Sequence, residues 1–331
     1  MRTAEEIRRV VRTAVEAAVW APSVHNTQPW SFSITGDEVG IHADVDRRLQ
    51  FQDPAGREML ISVGAAVFNL TLALATLGYD PLVHLLPDPD RPALLATVRL
   101  GGPVTPDEHT KMLHGQIERR RTHRGAFVDV MIPRNFADAL SAEAQAEGVR
   151  LTPVRSESGK RVLAALTRAA QEVQAYDRAF SLEVLRWARP PGTTRGDGVP
   201  ADAYPLRPDH TEPDFAQRDY SRDHLWGYDR LPSATRPSAP GLVAVMSTVG
   251  DTREEWLRAG EALQRVLLFA SAHGVRAAFH TQALELYHLR EFIRQEMLEG
   301  EYPQMIMRLG VTAEDAGTLR RPLSEVIEED A

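Results

Sequence analysis

The chain has 331 residues, 43% hydrophobic and 25% charged, which is long enough for two domains that each bury a core and too apolar for a disordered chain. A formal net charge of −8, with the arginines in local clusters, leaves no basic footprint and excludes nucleic acid as an expected partner. The absence of cysteine excludes disulfides, thiolate metal sites and cysteine nucleophiles.

In chain order, Thr3-Ala4-Glu5-Glu6 has the form of a capping box, and Ile7, Val10, Val11, Ala14, Val15 and Ala18 follow at helical spacing until Pro22. The next stretch, Ala21-Pro22-Ser23-Val24-His25-Asn26-Thr27-Gln28-Pro29-Trp30, is a short loop restrained by two prolines and dense in donors and acceptors. Two readings are open for it: a helix stop with Trp30 entering the core, or a site for a planar polar ligand. Trp30–Ile34 and Val39–Ala43 read as strands around a turn at Gly36-Asp37. Met59–Tyr79 is uncharged and mostly apolar, but Ser62, Asn69, Thr71 and Thr76 mark it as a buried helix rather than a membrane span. No signal-peptide apolar region is present at the N-terminus, so the expected location is cytoplasmic.

Thr105-Pro106-Asp107-Glu108 opens another helix, running into the basic stretch Glu118-Arg119-Arg120-Arg121-Thr122-His123-Arg124. That stretch is either an anion site or a solvated helix end favoured by the helix dipole. Arg134–Glu147 and Ser158–Phe180 read as helices around a strand at Val149–Val154. From Arg189 to Pro240 the chain is rich in Pro, Gly, Asp and Arg, with Tyr204, Phe215, Tyr220, Trp226 and Tyr228 interspersed. A loop of that length is a lid or a linker, and its aromatics argue against a plain disordered linker. Strand Leu242–Thr248, helix Thr252–Ala272, strand Val275–Phe279, helix Leu284–Leu298 and strand Gln304–Gly310 complete the order.

The sequence also repeats itself. Gly64–Gly78 aligns without gaps on Gly260–Gly274, an offset of 196 (64 to 260), and Arg-Leu-Gly recurs at Arg99-Leu100-Gly101 and Arg308-Leu309-Gly310. Two helices apolar around most of their circumference need partners on several sides, so the halves are expected to bury them against each other. Neither His109 and His114 nor His280 and His288 has the spacing of a helical metal pair, and no metal site is expected. Dinucleotide and phosphate-loop motifs are missing, so no nucleotide-binding domain of that kind is expected.

Pro22-Ser23-x-x-Asn26-x-Gln28-Pro29-Trp30 resembles the flavin-contacting loop of the FMN-dependent nitroreductase family, particularly its Acg-type branch. Arg120-Arg121-Thr122-His123-Arg124, with Phe127 and Ile132-Pro133 after it, resembles that family's phosphate-binding segment; Arg320-Arg321-Pro322-Leu323 resembles its closing segment. The resemblance implies an α+β nitroreductase fold, two tandem halves forming an intramolecular pseudo-dimer around long central helices. The halves would be residues 1–104 and 105–331, with 189–240 an inserted lid-like segment.

One composite cleft would then be complete. Pro22, Ser23, Val24, Asn26 and Gln28 come from the first half, and Arg120, Arg121, Thr122 and Arg124 from the second. His280, Thr281 and Gln282 stand at the turn from which the family offers a donor to flavin N5, and Arg320 and Arg321 close the set. The usual Glu-Gly at that turn is missing, and no catalytic side chain is assigned. The second half reads Ala146-Glu147-Gly148-Val149-Arg150 where a second loop would stand, which implies one FMN per chain. The implied partners are NAD(P)H and a small quinone- or nitroaromatic-type acceptor, in a monomer that mimics a homodimer. Two competing functions are an FMN-binding or flavin-sequestering protein with a covered flavin and little turnover, and a partner-binding protein with an empty cleft.

Overall fold

Thr3 caps the first helix as its sequence predicts: the hydroxyl accepts from the Glu6 amide and the Glu6 carboxylate accepts from the Thr3 amide. The computed structural model describes residues 3–203, 211–220, 238–312 and 317–328. Tyr204, Trp226 and Tyr228 lie outside the described residues.

Helix α1 (Ala4–Ala18) leads through the proline-bracketed loop into β1 (Trp30–Thr35) and β2 (Glu38–Ala43), then α2 (Arg57–Thr76), β3 (Tyr79–Leu85) and β4 (Leu94–Pro103). Then come α3 (Glu108–His114), α4 (Arg134–Gln145) and β5 (Arg150–Pro153). Two helices, α5 (Glu157–Tyr176) and α6 (Arg178–Trp187), and a short ribbon, β6 (Ala188–Arg189) with β7 (Val199–Pro200), intervene before β8 (Leu242–Thr248). Then come α7 (Arg253–Ala272), β9 (Val275–Phe279), α8 (Gln282–Glu285), α9 (Tyr287–Met297), β10 (Tyr302–Val311) and, at the C-terminus, β11 (Ile327–Glu328).

The two main sheets share one strand order. In the first, β1, β2, β4 and β3 are neighbours and antiparallel; in the second, β5, β8, β10 and β9 are. In both, the long helix connects the second strand to the third. The first sheet gains β11, which lies parallel to β1 and ties the C-terminus to the N-terminal half.

Helices α2 and α7 pack on each other where both carry glycine. A Cβ on Gly64 would stand 2.0 Å from the Leu257 carbonyl oxygen, and one on Gly260 would stand 2.0 Å from that of Ile61. Ile61 and Leu257 are themselves related by the offset of 196, so the contact is two-fold. Asn69 and Gln264 hydrogen-bond across the same interface, Gln264 Nε2 donating to Asn69 Oδ1 at 2.7 Å. Helix α2 is long and apolar enough to cross a membrane by composition, yet 78% of its apolar window is buried in the protein, which makes it a core helix.

Three expected helices differ from the structure. The helix after Thr105 starts later, where Asp107 caps it through the Thr110 amide, and ends at His114, so the arginines of 119–124 lie beyond it, Arg119 in a turn and the others in irregular backbone around an isolated bridge from Thr122 to Ala277. The stretch 158–180 breaks at Asp177, whose carboxylate accepts from the amides of Ala179 and Phe180 and starts α6. The stretch 284–298 breaks at Leu286, which adopts extended backbone between α8 and α9.

Candidate functional site

The loop after α1 folds around Ser23, whose hydroxyl accepts from the Gln28 amide at 2.9 Å while Val24–Asn26 make one 3-10 turn. His25, Asn26 and Gln28 adopt φ of 50°, 55° and 49°, left-handed conformations that cost non-glycine residues on the order of 1–3 kcal/mol each. Side-chain contacts hold them there. His25 is buried between Tyr220 Oη, 2.8 Å from Nδ1, and Gln52 Oε1, 2.5 Å from Nε2. The Gln52 amide nitrogen serves two carboxylates, Glu58 and Glu285, at 3.1 and 3.2 Å. Its oxygen therefore faces His25, so His25 carries its proton on Nε2 and accepts from Tyr220 at Nδ1. Burial, together with the charges of Arg218 and Arg124, pushes the His25 pKa down to about 3, and the ring is neutral.

Pro22, Ser23, Val24 and His25 form one wall of a cavity of about 100 Å³. Thr122, His123 and Arg124 form a second wall, and Phe279, Thr281 and Gln282 a third. Residues of α2, namely Glu58, Ile61 and Ser62, stand with Leu263 of α7 and Met305 along the remainder. Gln217, Arg218 and Tyr220 close it. The three separated sequence segments thus meet at one place.

The other expected residues stand around this cavity without lining it. Asn26 Nδ2 donates to the carbonyls of Gly198 and Leu319 at 3.1 Å each, and its Oδ1 accepts from Arg320. Gln28 Nε2 donates to Gly196 O, and Gln28 Oε1 accepts from the Arg321 amide at 2.8 Å. These two amides fasten the C-terminal segment and the ribbon loop to the first half. Asp197, on that loop, receives Arg47, Arg189 and Arg195, which hold its carboxyl well below the usual range. His280 lies in the core: Nδ1 donates to Ala216 O at 3.2 Å and Nε2 accepts from Arg308 Nε at 2.8 Å. It positions the turn bearing Thr281 and Gln282.

Beside Arg124 lies a concentration of positive charge. Arg121 and Arg320 both lie over the ring of Trp20, at 5.5 and 5.4 Å. Arg120 is buried, and the charges acting on it, Arg121, Arg124 and Arg276, join burial in lowering its pKa to about 9. Arg320 is pushed well below its ordinary value by burial and by Arg120, Arg121 and Arg124. No carboxylate enters either balance, and Nε of both Arg120 and Arg320 lacks a hydrogen-bond partner among the described residues. Guanidinium groups gathered this way make the place a candidate anion site.

Sequence reasoning missed the polar group opposite: Gln52, Glu58 and Glu285, with Arg218 donating to Glu285 Oε1 at 2.5 Å. Its signal was the Arg57-Glu58 pair heading an otherwise uncharged helix. The 211–220 segment, part of the stretch expected to be lid-like, lines the cavity, anchored by buried Phe215 and by Gln171 and Gln282, which donate to the carbonyls of Gln217 and Ala216.

No protein-family model matches the chain. Among curated proteins it is 34% identical to the "Putative NAD(P)H nitroreductase Rv3131" of Mycobacterium tuberculosis over 324 residues, covering 96% of this chain and 91% of the relative. It is 28% identical to the "Putative NAD(P)H nitroreductase acg" of the same organism over 327 residues, covering 96% and 95%. Among solved structures, the FMN-dependent nitroreductase NfnB of Mycobacterium smegmatis in complex with NADPH aligns at 18% identity and a TM-score of 0.40, over 67% of this chain and 99% of that one. A nitroreductase with bound FMN from Bacteroides fragilis aligns at 14% identity and a TM-score of 0.38, over 66% and 95%. With a third of its residues shared along nearly the whole of both sequences, the chain belongs to the nitroreductase family, in its Acg-type branch.

Proposed function

We propose that the protein is an FMN-binding oxidoreductase that passes reducing equivalents from NAD(P)H to a small acceptor of quinone or nitroaromatic type, working as one chain that supplies both halves of a dimer. The observation that carries this reading is the cluster of Arg120, Arg121, Arg124 and Arg320 beside the three-walled cavity. Among the described residues no carboxylate pairs with Arg120 or Arg320, and a phosphate monoester dianion supplies a counter-charge for them. Arg120 and Arg320 would hold the phosphate, with the Thr122 hydroxyl as a further donor, and the cavity walls would hold the planar ring. FMN, when bound, supplies the hydride chemistry of the reaction. The chain's own part is to neutralise the phosphate, to orient the ring between Pro22–His25 and Thr281–Gln282, and to exclude water.

A second reading is favoured by one measure. A cavity of about 100 Å³ is small beside the roughly 300–1,000 Å³ of ordinary ligand pockets, because Gln217, Arg218 and Tyr220 stand in it. Residues 189–240 would then be a cover under which flavin is held with little turnover. An anaerobic spectrum before and after NADPH separates the readings. Bleaching of bound flavin within minutes is expected of the oxidoreductase; flavin that stays oxidised with NADPH but bleaches with dithionite favours the sequestering protein. Arg120→Ala combined with Arg320→Ala is expected to give folded, colourless protein, and full retention of FMN by that variant refutes the phosphate site.

A further inference from the structure

Glu58 has no part in the reading above, yet it is the only carboxylic residue lining the cavity among the described residues. Its side chain is 2% exposed, with Oε2 accepting from Gln52 Nε2 at 3.1 Å and Oε1 from Arg57 Nη2 at 3.0 Å. Gln52 also donates to Glu285, so one amide joins two carboxylates. Glu285 is the better served, receiving Arg218, Gln174 and Thr281 besides. Asp53, also buried, adds a third negative group next to Glu58. Facing these three from the surrounding elements are Arg57 on α2 and Arg218 on the 211–220 segment. His25 is neutral, and Arg290 of α9 is engaged by Asp251 at 2.6 Å. Burial and the Glu285 charge outweigh the pull of Arg57 and raise the Glu58 pKa to about 8, so near neutral pH it holds a proton. Each of its oxygens accepts one hydrogen bond and keeps a second lone-pair position for that proton, on a side chain that lines the cavity.

We propose that Glu58 is the proton donor to an acceptor that stacks on the ring held in this cavity. This rests on the oxidoreductase reading. A quinone that receives a hydride equivalent needs one proton to become the hydroquinone. The Glu58 O–H bond breaks, the quinone O–H bond forms, and the carboxylate left behind takes a proton from water when the product leaves. The Tyr220, His25 and Gln52 chain fixes the amide that orients Glu58. The assigned substrate class is therefore oxidants that consume protons as well as electrons.

The test has two arms. Infrared spectroscopy of the protein near neutral pH is expected to show a buried protonated-carboxyl C=O band that is lost in Glu58→Gln. In Glu285→Gln, which removes the like charge, the band should disappear about one pH unit earlier on raising the pH. A spectrum unchanged by Glu58→Gln overturns the proposal, and Glu285→Gln carries the test should the first variant not fold. In the kinetic arm, dithionite-reduced, flavin-loaded protein is reoxidised by benzoquinone or by ferricyanide, which takes no proton. The benzoquinone-to-ferricyanide rate ratio should fall by about 10²-fold in Glu58→Gln. An unmoved ratio in flavin-loaded protein refutes the donor alone. A protein that takes up no FMN refutes the oxidoreductase reading and the donor with it, and its lack of flavin absorbance identifies that outcome.

Discussion

His25 and Glu58 sit on either side of Gln52 and are displaced from their ordinary pKa values in opposite senses, to about 3 and about 8. For His25 the unfolded chain binds a proton that the folded one refuses, so this group makes stability fall as pH drops from 6.5 towards 3. For Glu58 the folded chain keeps a proton that the unfolded one has lost, so stability falls as pH rises from 4.5 towards 8. Between 4.5 and 6.5 the two slopes cancel, and the pair predicts a plateau of stability on the acid side of neutrality. Thermal melts across pH check this: Glu58→Gln should flatten the alkaline limb, and a steep alkaline limb that survives the substitution would contradict it. The loop containing His25 was legible in the sequence because two prolines and five polar residues stand together there. Glu58 was not, because a charged pair at a helix start reads as a solvated cap until the fold shows what covers it.

Among the elements, the pairing of α2 with α7 is the one the sequence marked most clearly. Glycines at 64 and 260 head matching apolar runs, and the structure shows the reason: each brings its helix within contact of the other's backbone. A methyl at either position meets a carbonyl oxygen instead of a flexible side chain. Gly260→Ala or Gly64→Ala is therefore expected to destabilise the chain by about 3 kcal/mol, and the double variant by less than the sum because the two contacts share one crossing. Denaturant titration measures both; losses below about 0.5 kcal/mol would mean that the helices slide apart at no cost. The breaks at Asp177 and Leu286 were less legible, since apolar periodicity continues across them and only the packing of α6 and α8 against neighbouring segments selects the interruption. The basic run at 119–124 departs from helix for a related reason. Burying Arg120 while turning Thr122 and Arg124 to the cavity requires backbone that does not wind all of them around one axis.

At the scale of the molecule, the two halves repeat their sheets and central helices but not their clefts. The cleft facing β3 and α7 is lined by Val83, His84, Leu85 and Pro87 with Glu147, Glu254, Arg258 and Glu261. By the offset of 196, Glu254 and Arg258 stand where Glu58 and Ser62 stand in the other cleft, so the two are counterparts. Their electrostatics are opposite. Four arginines crowd the first, whereas in the second Glu147 and Glu254 outnumber Arg258, and burial with the neighbouring Glu147 pushes the Glu261 pKa up to about 8, so that it holds a proton near neutral pH. At the end of α4, where the first half has its ten-residue loop, the chain turns tightly at Gly148, with φ of 74°, straight into β5. A dianionic phosphate is attracted to one cleft and repelled by the other. Titration of the purified chain with FMN, followed by flavin fluorescence quenching, should saturate at one equivalent, and weaken with added salt less than surface binding would because the arginines are buried. Reversing the acidic cleft by Glu254→Lys and Glu261→Lys should leave that stoichiometry at one, since the charge alone would be restored there without the loop that meets the ring. Saturation at two equivalents in the unaltered chain would mean that the halves kept both sites of an ancestral pair.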